Sequence, residues 1–423
     1  MRQDLAALAA RALDGAAPGA AIAIRHGTET ALSACYGHAD LEWQVPVTPD
    51  TVFRLASLGK PMTALTVVLL ARDGLLDLDA PLRAYLPDYP EHAAGVTVRH
   101  LLTHTSGIPN FVTAPDFAST VSRLDHTDAE LRARFADLPL HWTPGERYGY
   151  SNSGYRLLDM IVSGVTGRPF AEVLAERVFA PAGMGGSRLL DDATIVPRRA
   201  AGYQPGPDGG FANADPMSMT VPGGAGGIGS TLDDLVRFDR ALFVDGTFGD
   251  VEELLAPVRL TGGRSEGYGL GFASQAYRGR RVVHHAGGIN GFSTLYLCLP
   301  GDGISAILLV NLVGFPCSLA IRPLVDALLG ADPAGPPATA GPPEEARAGT
   351  YRDSLNAVAV AVEGDRLVVS WAGRTQRMVR LSSTDYADAD DPEVTLRFHD
   401  DGPVAACTLT VPFTWVTGYR DPE

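Results

Sequence analysis

Residues 54–63 read Arg54-Leu55-Ala56-Ser57-Leu58-Gly59-Lys60-Pro61-Met62-Thr63 (RLASLGKPMT), and Lys60 is the only lysine in a chain whose 34 basic residues are otherwise arginine. An apolar run follows and stops at Asp73-Gly74, a pattern that predicts a helix beginning near Lys60. Pro61 suits the first turn of that helix, where backbone N–H groups have no intrahelical partner. Ser57 and Lys60, three residues apart, then share one face of the turn. A lysine held there, partly buried and near the positive helix end, has its charged form disfavoured. Its neutral amine can accept the proton of the Ser57 hydroxyl, a role arginine cannot fill at any reachable pH. Taken alone, the spacing is also that of a capping serine followed by a solvated lysine.

Two later stretches supply matching chemistry. Tyr150-Ser151-Asn152 lies in PGERYGYSNSGYRLLDMIV, a loop predicted to open onto a helix near Gly154. Beside a cationic lysine the Tyr150 phenol can lose its proton and serve as base, then as acid for a leaving group. The Asn152 amide can accept from Lys60 and donate to a substrate carbonyl. His285-Ala286-Gly287-Gly288 lies in RRVVHHAGGINGFSTLYL, a predicted strand whose glycines let a substrate backbone approach its edge. The N–H groups of Gly288 and Ser57 could together form an oxyanion hole. Read singly, the first stretch is also a core tyrosine with a capping Ser-Asn pair, and the second a bulge with a surface histidine.

A chain of 423 residues exceeds what one hydrophobic core usually organises. A short amphipathic helix opens the sequence, strand patterns occupy residues 20–56, and helical patterns dominate from about 96 to 240. Strands return at GYGLGF, RVVHHAGG, FSTLYLCLP and ISAILLVNL, before a helix near LAIRPLVDALLG. Strands at both ends with helices between them predict an α+β domain over residues 1–330, its sheet joining the two ends. Residues 331–346, rich in Pro, Ala and Gly, read as a linker. Residues 347–423 alternate with period two, as a small all-β barrel would.

A net charge of -15 argues against nucleic acid and anionic membrane as partners and leaves a small neutral or cationic substrate. No run approaches the roughly 18 apolar residues of a membrane span. An N-terminus interrupted by Asp4 lacks the unbroken apolar core of a signal peptide and predicts a cytoplasmic protein. Cys35, Cys298, Cys317 and Cys407 are widely spaced, which predicts buried free thiols. The histidine pairs His100/His104 and His284/His285 lack carboxylates at ligand spacing, so no metal is expected. Gly224 to Gly229 fits G-x-G-x-x-G, but no strand precedes it, so it reads as a tight loop beside the active site and no cofactor is expected. His104 and Ser106 read as a hydrogen-bonded turn, and Trp142 as a pocket wall or a packing residue.

With three motifs in this order the chain resembles the serine β-lactamase and penicillin-binding-protein superfamily, in particular its class-C-like branch of esterases, D-aminopeptidases and D,D-peptidases. Ser57-x-x-Lys60, Tyr150-x-Asn152 and His285-x-Gly287 carry the likeness, with VTVRHLLTHTSGIP at 96–109 and GGAGGIGSTLDDLVRF at 223–238. It covers about residues 15–330; the tail resembles the small β-barrel or lipocalin-like domains that some members append. The resemblance implies an antiparallel sheet flanked by helices, plus a helical region. It also implies Ser57 as nucleophile, Lys60 as its partner, Tyr150 as general base and acid, and Asn152, His285, Gly287 and Gly288 as substrate-positioning groups. The departure is His285, where β-lactamases and carboxypeptidases usually carry a lysine that holds a substrate carboxylate. A histidine, about neutral at pH 7, would do so poorly. The implied activity is therefore acyl-enzyme hydrolysis of esters, amides or short peptides without a free carboxylate at that subsite. Two other readings remain, a transacylase or peptide cyclase of secondary metabolism and a non-catalytic sensor or binding protein acylated once. Oligomeric state is left open.

Overall fold

The computed structural model describes residues 2–330, 339–353, 355–400 and 405–420. Its organising element is a seven-stranded sheet in the order Val45–Pro46, Glu29–Asp40, Gly19–His26, Ile304–Val310, Phe292–Leu299, Arg280–Ile289, Ala273–Tyr277, antiparallel at every pairing. Gly19–His26 lies beside Ile304–Val310 with Ala20 opposite Val310, so the two ends of this region meet in mid-sheet as expected. Both faces are covered, which is why these strands are almost continuously apolar. Ala20, Ile22 and Ile24 face the helices Arg2–Leu13 and Cys317–Leu329, whereas Ala21 and Ala23 face the helical region.

A buried ion pair ties that helical region to the sheet. Asp239, on the helix Leu232–Phe243, accepts from Arg25 Nε at 2.5 Å, Tyr296 Oη at 2.7 Å and Ser305 Oγ at 2.8 Å. Such a buried carboxylate is tolerable only because every partner is in place.

The segment around Ser57 differs from the expectation in one detail. A single 3-10 turn, Ala56–Gly59, comes first and the helix Lys60–Arg72 continues it, with Asp73 as C-cap and Gly74 at φ +75. GYGLGF is a second difference, because the strand starts only at Ala273. Gly271 sits at φ +87 against the helix Lys60–Arg72, where a Cβ would come within 2.7 Å of the Ala64 methyl. Its glycines serve close approach and a left-handed turn, and the apparent alternation is incidental.

Eight strands from Gly349–Arg352 to Thr414–Arg420 close into a barrel, filled by side chains such as Tyr351, Leu367, Met378 and Leu409. Residues 331–338 of the expected linker lie outside the described residues. The barrel docks on the sheet region through Arg322 with Asp391, Gln275 Nε2 to the Val411 carbonyl at 3.0 Å and Thr417 Oγ1 to Glu266 at 3.1 Å. Cys298, Cys317 and Cys407 are buried and Cys35 is half-buried. Among the described residues no helix is long and apolar enough to cross a membrane.

The strand Arg280–Ile289 touches the Leu55–Leu58 segment at Gly287. A Cβ there would collide with the Leu55 carbonyl oxygen and the Thr294 hydroxyl, whereas one on Gly288 would meet nothing within 4 Å. Gly287→Ala is therefore expected to lower the unfolding free energy by about 1–3 kcal/mol, and Gly288→Ala to change it by less than about 0.5 kcal/mol. Denaturant titration of the two variants measures this; equal losses would refute the packing account.

Candidate active site

Ser57 is presented by a strained start. Ala56 lies at φ +52, and the Leu55 carbonyl accepts from the Leu58 N–H at 3.2 Å and the Thr294 hydroxyl at 2.8 Å. These contacts anchor the turn on the sheet and leave Ser57 half-buried at the cavity floor. Lys60 is fully buried, and its Nζ lies 3.0 Å from Ser57 Oγ, 2.8 Å from Asn152 Oδ1 and 2.6 Å from the Ala225 carbonyl oxygen. Burial pushes its pKa well below the ordinary lysine value. The geometry suits the neutral amine, because the Asn152 and Ala225 oxygens can only accept and take its two N–H bonds. The Ser57 hydroxyl is the one partner able to donate to the lone pair. Once protonated, the ammonium would find three acceptors already in place.

Tyr150 hydrogen-bonds to Ser57, and burial raises its phenol well above the usual tyrosine pKa. Its ring centre lies 4.7 Å from Lys60 Nζ. A raised Tyr150 beside a lowered Lys60 shifts the pair toward its neutral forms, with the proton on the phenol. The helix expected near Gly154 starts at Asn152. The Asn152 N–H donates to Asn110 Oδ1 at 3.0 Å, and Asn110 Nδ2 donates to the Tyr150 carbonyl at 3.3 Å.

His285 lies in the same cavity with both ring nitrogens engaged. Nδ1 can only donate to the Ala286 carbonyl oxygen at 2.7 Å, so Nε2 accepts from Tyr268 Oη at 2.9 Å. Burial, and then the nearby Lys60, lowers its pKa to about 3. Beyond His284, which faces Ala273, no strand flanks the outer edge of His285–Ile289 among the described residues. Gly287 is packed under the Leu55–Leu58 segment and Gly288 opens into the cavity.

The cavity has two lobes that meet at Ser57, Tyr150, Gly288 and Leu355. One, of about 260 Å³, is walled by Phe111, Phe117, Met217, Val221 and Ile289. The other, of about 470 Å³, is lined by Tyr148, Tyr268, His285, Asp353, Asn356 and Trp415. Three of these six belong to the barrel region, and Trp415 packs on Tyr148 with ring centres 4.8 Å apart. Asp353 accepts from the Leu355 and Asn356 N–H groups at 2.6 Å each, and burial raises its pKa. Among the described residues it has no cationic partner, and it is the one carboxyl side chain lining this lobe.

All seven residues singled out from sequence, Ser57, Lys60, Tyr150, Asn152, His285, Gly287 and Gly288, converge here. The glycine-rich turn Gly223–Gly226 lies beside them, as expected, and contributes the Ala225 carbonyl to Lys60. Trp142 packs over Gly149, clear of both lobes. Sequence reading missed Asn110, Asp353 and Trp415. Asn110 follows the TSGIP stretch and was within reach of a closer reading; the barrel residues carry no local signal. Among the described residues no cluster of His, Cys, Asp and Glu could hold a metal ion.

Comparison with known proteins shows the family to which the chain belongs. The chain is 32% identical over 279 residues to penicillin-binding protein 4* of Bacillus subtilis, covering 62% of this chain and 61% of that one. It is 30% identical over 300 residues to a D-aminopeptidase of Gluconobacter oxydans, covering 70% of this chain and 56% of the relative. The chain thus spans little more than half the length of these two relatives. The crystal structure of the D-amino acid amidase from Ochrobactrum anthropi complexed with L-phenylalanine superposes with a TM-score of 0.67 at 27% identity, covering 77% of this chain and 99% of the amidase. The family model described as Beta-lactamase matches residues 3–331, and the chain belongs to that family.

Proposed function

We propose that the protein is a serine hydrolase that cleaves amide or peptide bonds next to a residue with a free amino group, through an acyl-enzyme on Ser57. The observation that carries this reading is the Lys60 nitrogen, which has two acceptors for its N–H bonds and the Ser57 hydroxyl for its lone pair. Lys60 accepts the hydroxyl proton as Ser57 Oγ bonds to the substrate carbonyl carbon, and the Ser57 and Gly288 N–H groups hold the developing oxyanion. Tyr150, kept protonated by burial, gives its proton to the leaving nitrogen as the C–N bond breaks. The Lys60 ammonium then restores that proton to Tyr150. Water attacks the ester, its proton returns to Ser57 Oγ, and the acid leaves. Lys60 is the base of this scheme and Tyr150 the acid; the sequence itself offered the neutral Lys60 amine as acceptor of the Ser57 proton, whereas the family resemblance implied Tyr150 as both base and acid.

Specificity follows from the larger lobe. A lone carboxylate, Asp353, among tyrosine and tryptophan rings favours an ammonium group. A neutral His285 with no free nitrogen offers nothing to a carboxylate. The unpaired edge of His285–Ile289 suits an extended peptide backbone, and the apolar lobe suits a hydrophobic side chain. The relatives named D-aminopeptidase and D-amino acid amidase support a D-configured acyl residue and water as acceptor. In this proposal residues 1–330 are the hydrolase domain, and 347–423 are a barrel reaching into its site.

Ser57→Ala should abolish turnover of D-aminoacyl amides and labelling by a fluorophosphonate. Lys60→Arg should keep the fold and lose on the order of 10²–10⁴-fold in rate, the scale of a positioned base. An active Ser57→Ala or Lys60→Arg enzyme would sink the mechanism. Asp353→Asn should raise KM about 10-fold for amides with a free amino group and leave their N-acetylated forms unchanged; equal effects on both would remove the ammonium site. As His284 and His285 ionise only near pH 3, kcat/KM between about pH 5 and 8 should show no histidine step near 6.5. A plateau that breaks at 6.5 and moves with His285→Gln would contradict this.

A further inference from the structure

His104 takes no part in the steps above, yet it is built into the site at some cost. Its backbone lies at φ +57, it is 1% exposed, and its Nε2 has no hydrogen-bond partner among the described residues. A left-handed backbone at a buried non-glycine residue persists only where its surroundings hold it.

Those surroundings bracket Tyr150. The His104 carbonyl accepts the Gly149 N–H at 2.8 Å, and His104 Nδ1 accepts the Ser151 N–H at 3.1 Å. One bond falls on each side of Tyr150 in the chain. Because Nδ1 accepts, the ring proton sits on Nε2. The ring itself lies 4.3 Å from the Tyr150 ring centre, and Tyr155 and Tyr268 lie 5.1 and 4.8 Å from it. Asn110 fixes the next residue through the Asn152 N–H, so the loop from 104 to 110 grips the segment from Gly149 to Asn152.

We infer that His104 is a positioning residue for catalysis: it clamps the N–H groups of the two residues on either side of Tyr150 and supports the phenol ring, so that the hydroxyl stays on Ser57 while Asn152 stays on Lys60. The left-handed turn at 104 allows this, because it lets one residue offer its carbonyl and its ring to the same segment. The inference rests on the role proposed above for Tyr150.

Two variants test it, each read as kcat per active site titrated with a fluorophosphonate, so that a loss of folded protein is removed from the number. His104→Asn tolerates a positive φ and carries Oδ1 where histidine carries Nδ1. His104→Gly removes the strain together with the acceptor and the ring. His104→Gly should lose on the order of 100-fold in kcat, the effect of misplacing a reacting group by about an ångström, with KM within about twofold. His104→Asn should retain kcat within about fivefold. Wild-type kcat per titrated site in His104→Gly overturns the inference, as does a loss in His104→Asn equal to that in His104→Gly. Should His104→Gly yield no titratable sites, His104→Asn decides alone, and a 100-fold loss there overturns it. Wild-type enzyme that turns over no aminoacyl amide would instead defeat the proposed function, a separate result from a wild type that works beside an unaffected His104→Gly.

Discussion

The site depends on one nitrogen removed from water. Lys60 Nζ draws together Ser57, Asn152 and Ala225, which come from three distant parts of the chain. Burying a lysine is expensive unless its partners are fixed, and each of them is held in turn. The turn that offers Ala225 is gripped at Gly224, whose N–H donates to Asp159 at 2.7 Å and whose carbonyl accepts from Thr63 Oγ1 at 2.7 Å. Asp159 is itself buried and paired with Arg156, and burial raises its pKa to about 6. A second layer of buried polar groups thus exists to keep the first in register.

That dependence explains why so much of the site was legible in the sequence. Ser57 with Lys60 and Tyr150 with Asn152 sit at spacings fixed by local turns. Gly287 and Gly288 lie side by side on one strand, and each motif shows its geometry within a few residues. The sheet was legible for a similar reason, since Ala20 to Ile24 and Ile304 to Val310 are apolar on both faces. The failures were local ambiguities. GYGLGF alternates like a strand, but its glycines answer to close packing against the helix Lys60–Arg72, a contact that no window of sequence contains.

The barrel is the opposite case. Its strands announced themselves by period-two alternation, whereas its place over the cavity did not. Asp353 and Trp415 enter the larger lobe from opposite ends of the tail, and nothing in YRDSLN or FTWVTGY points to Ser57. Docking is decided by surface contacts such as the Tyr419 hydroxyl accepting the Tyr148 N–H at 3.0 Å. That bond joins the barrel to the same loop that carries Tyr150, so the tail and the segment from Tyr148 to Asn152 share a support.

The solitary lysine also gives the molecule an unusual chemical surface. With 33 of its 34 basic side chains arginine and Lys60 at 0% exposure, the folded protein presents no side-chain amine to solvent. Among residues 1–423, reagents that acylate amines find no lysine side chain while the site stays closed. Modification at Lys60 would report the opening of the helix start itself, a natural probe of local unfolding placed where opening matters most.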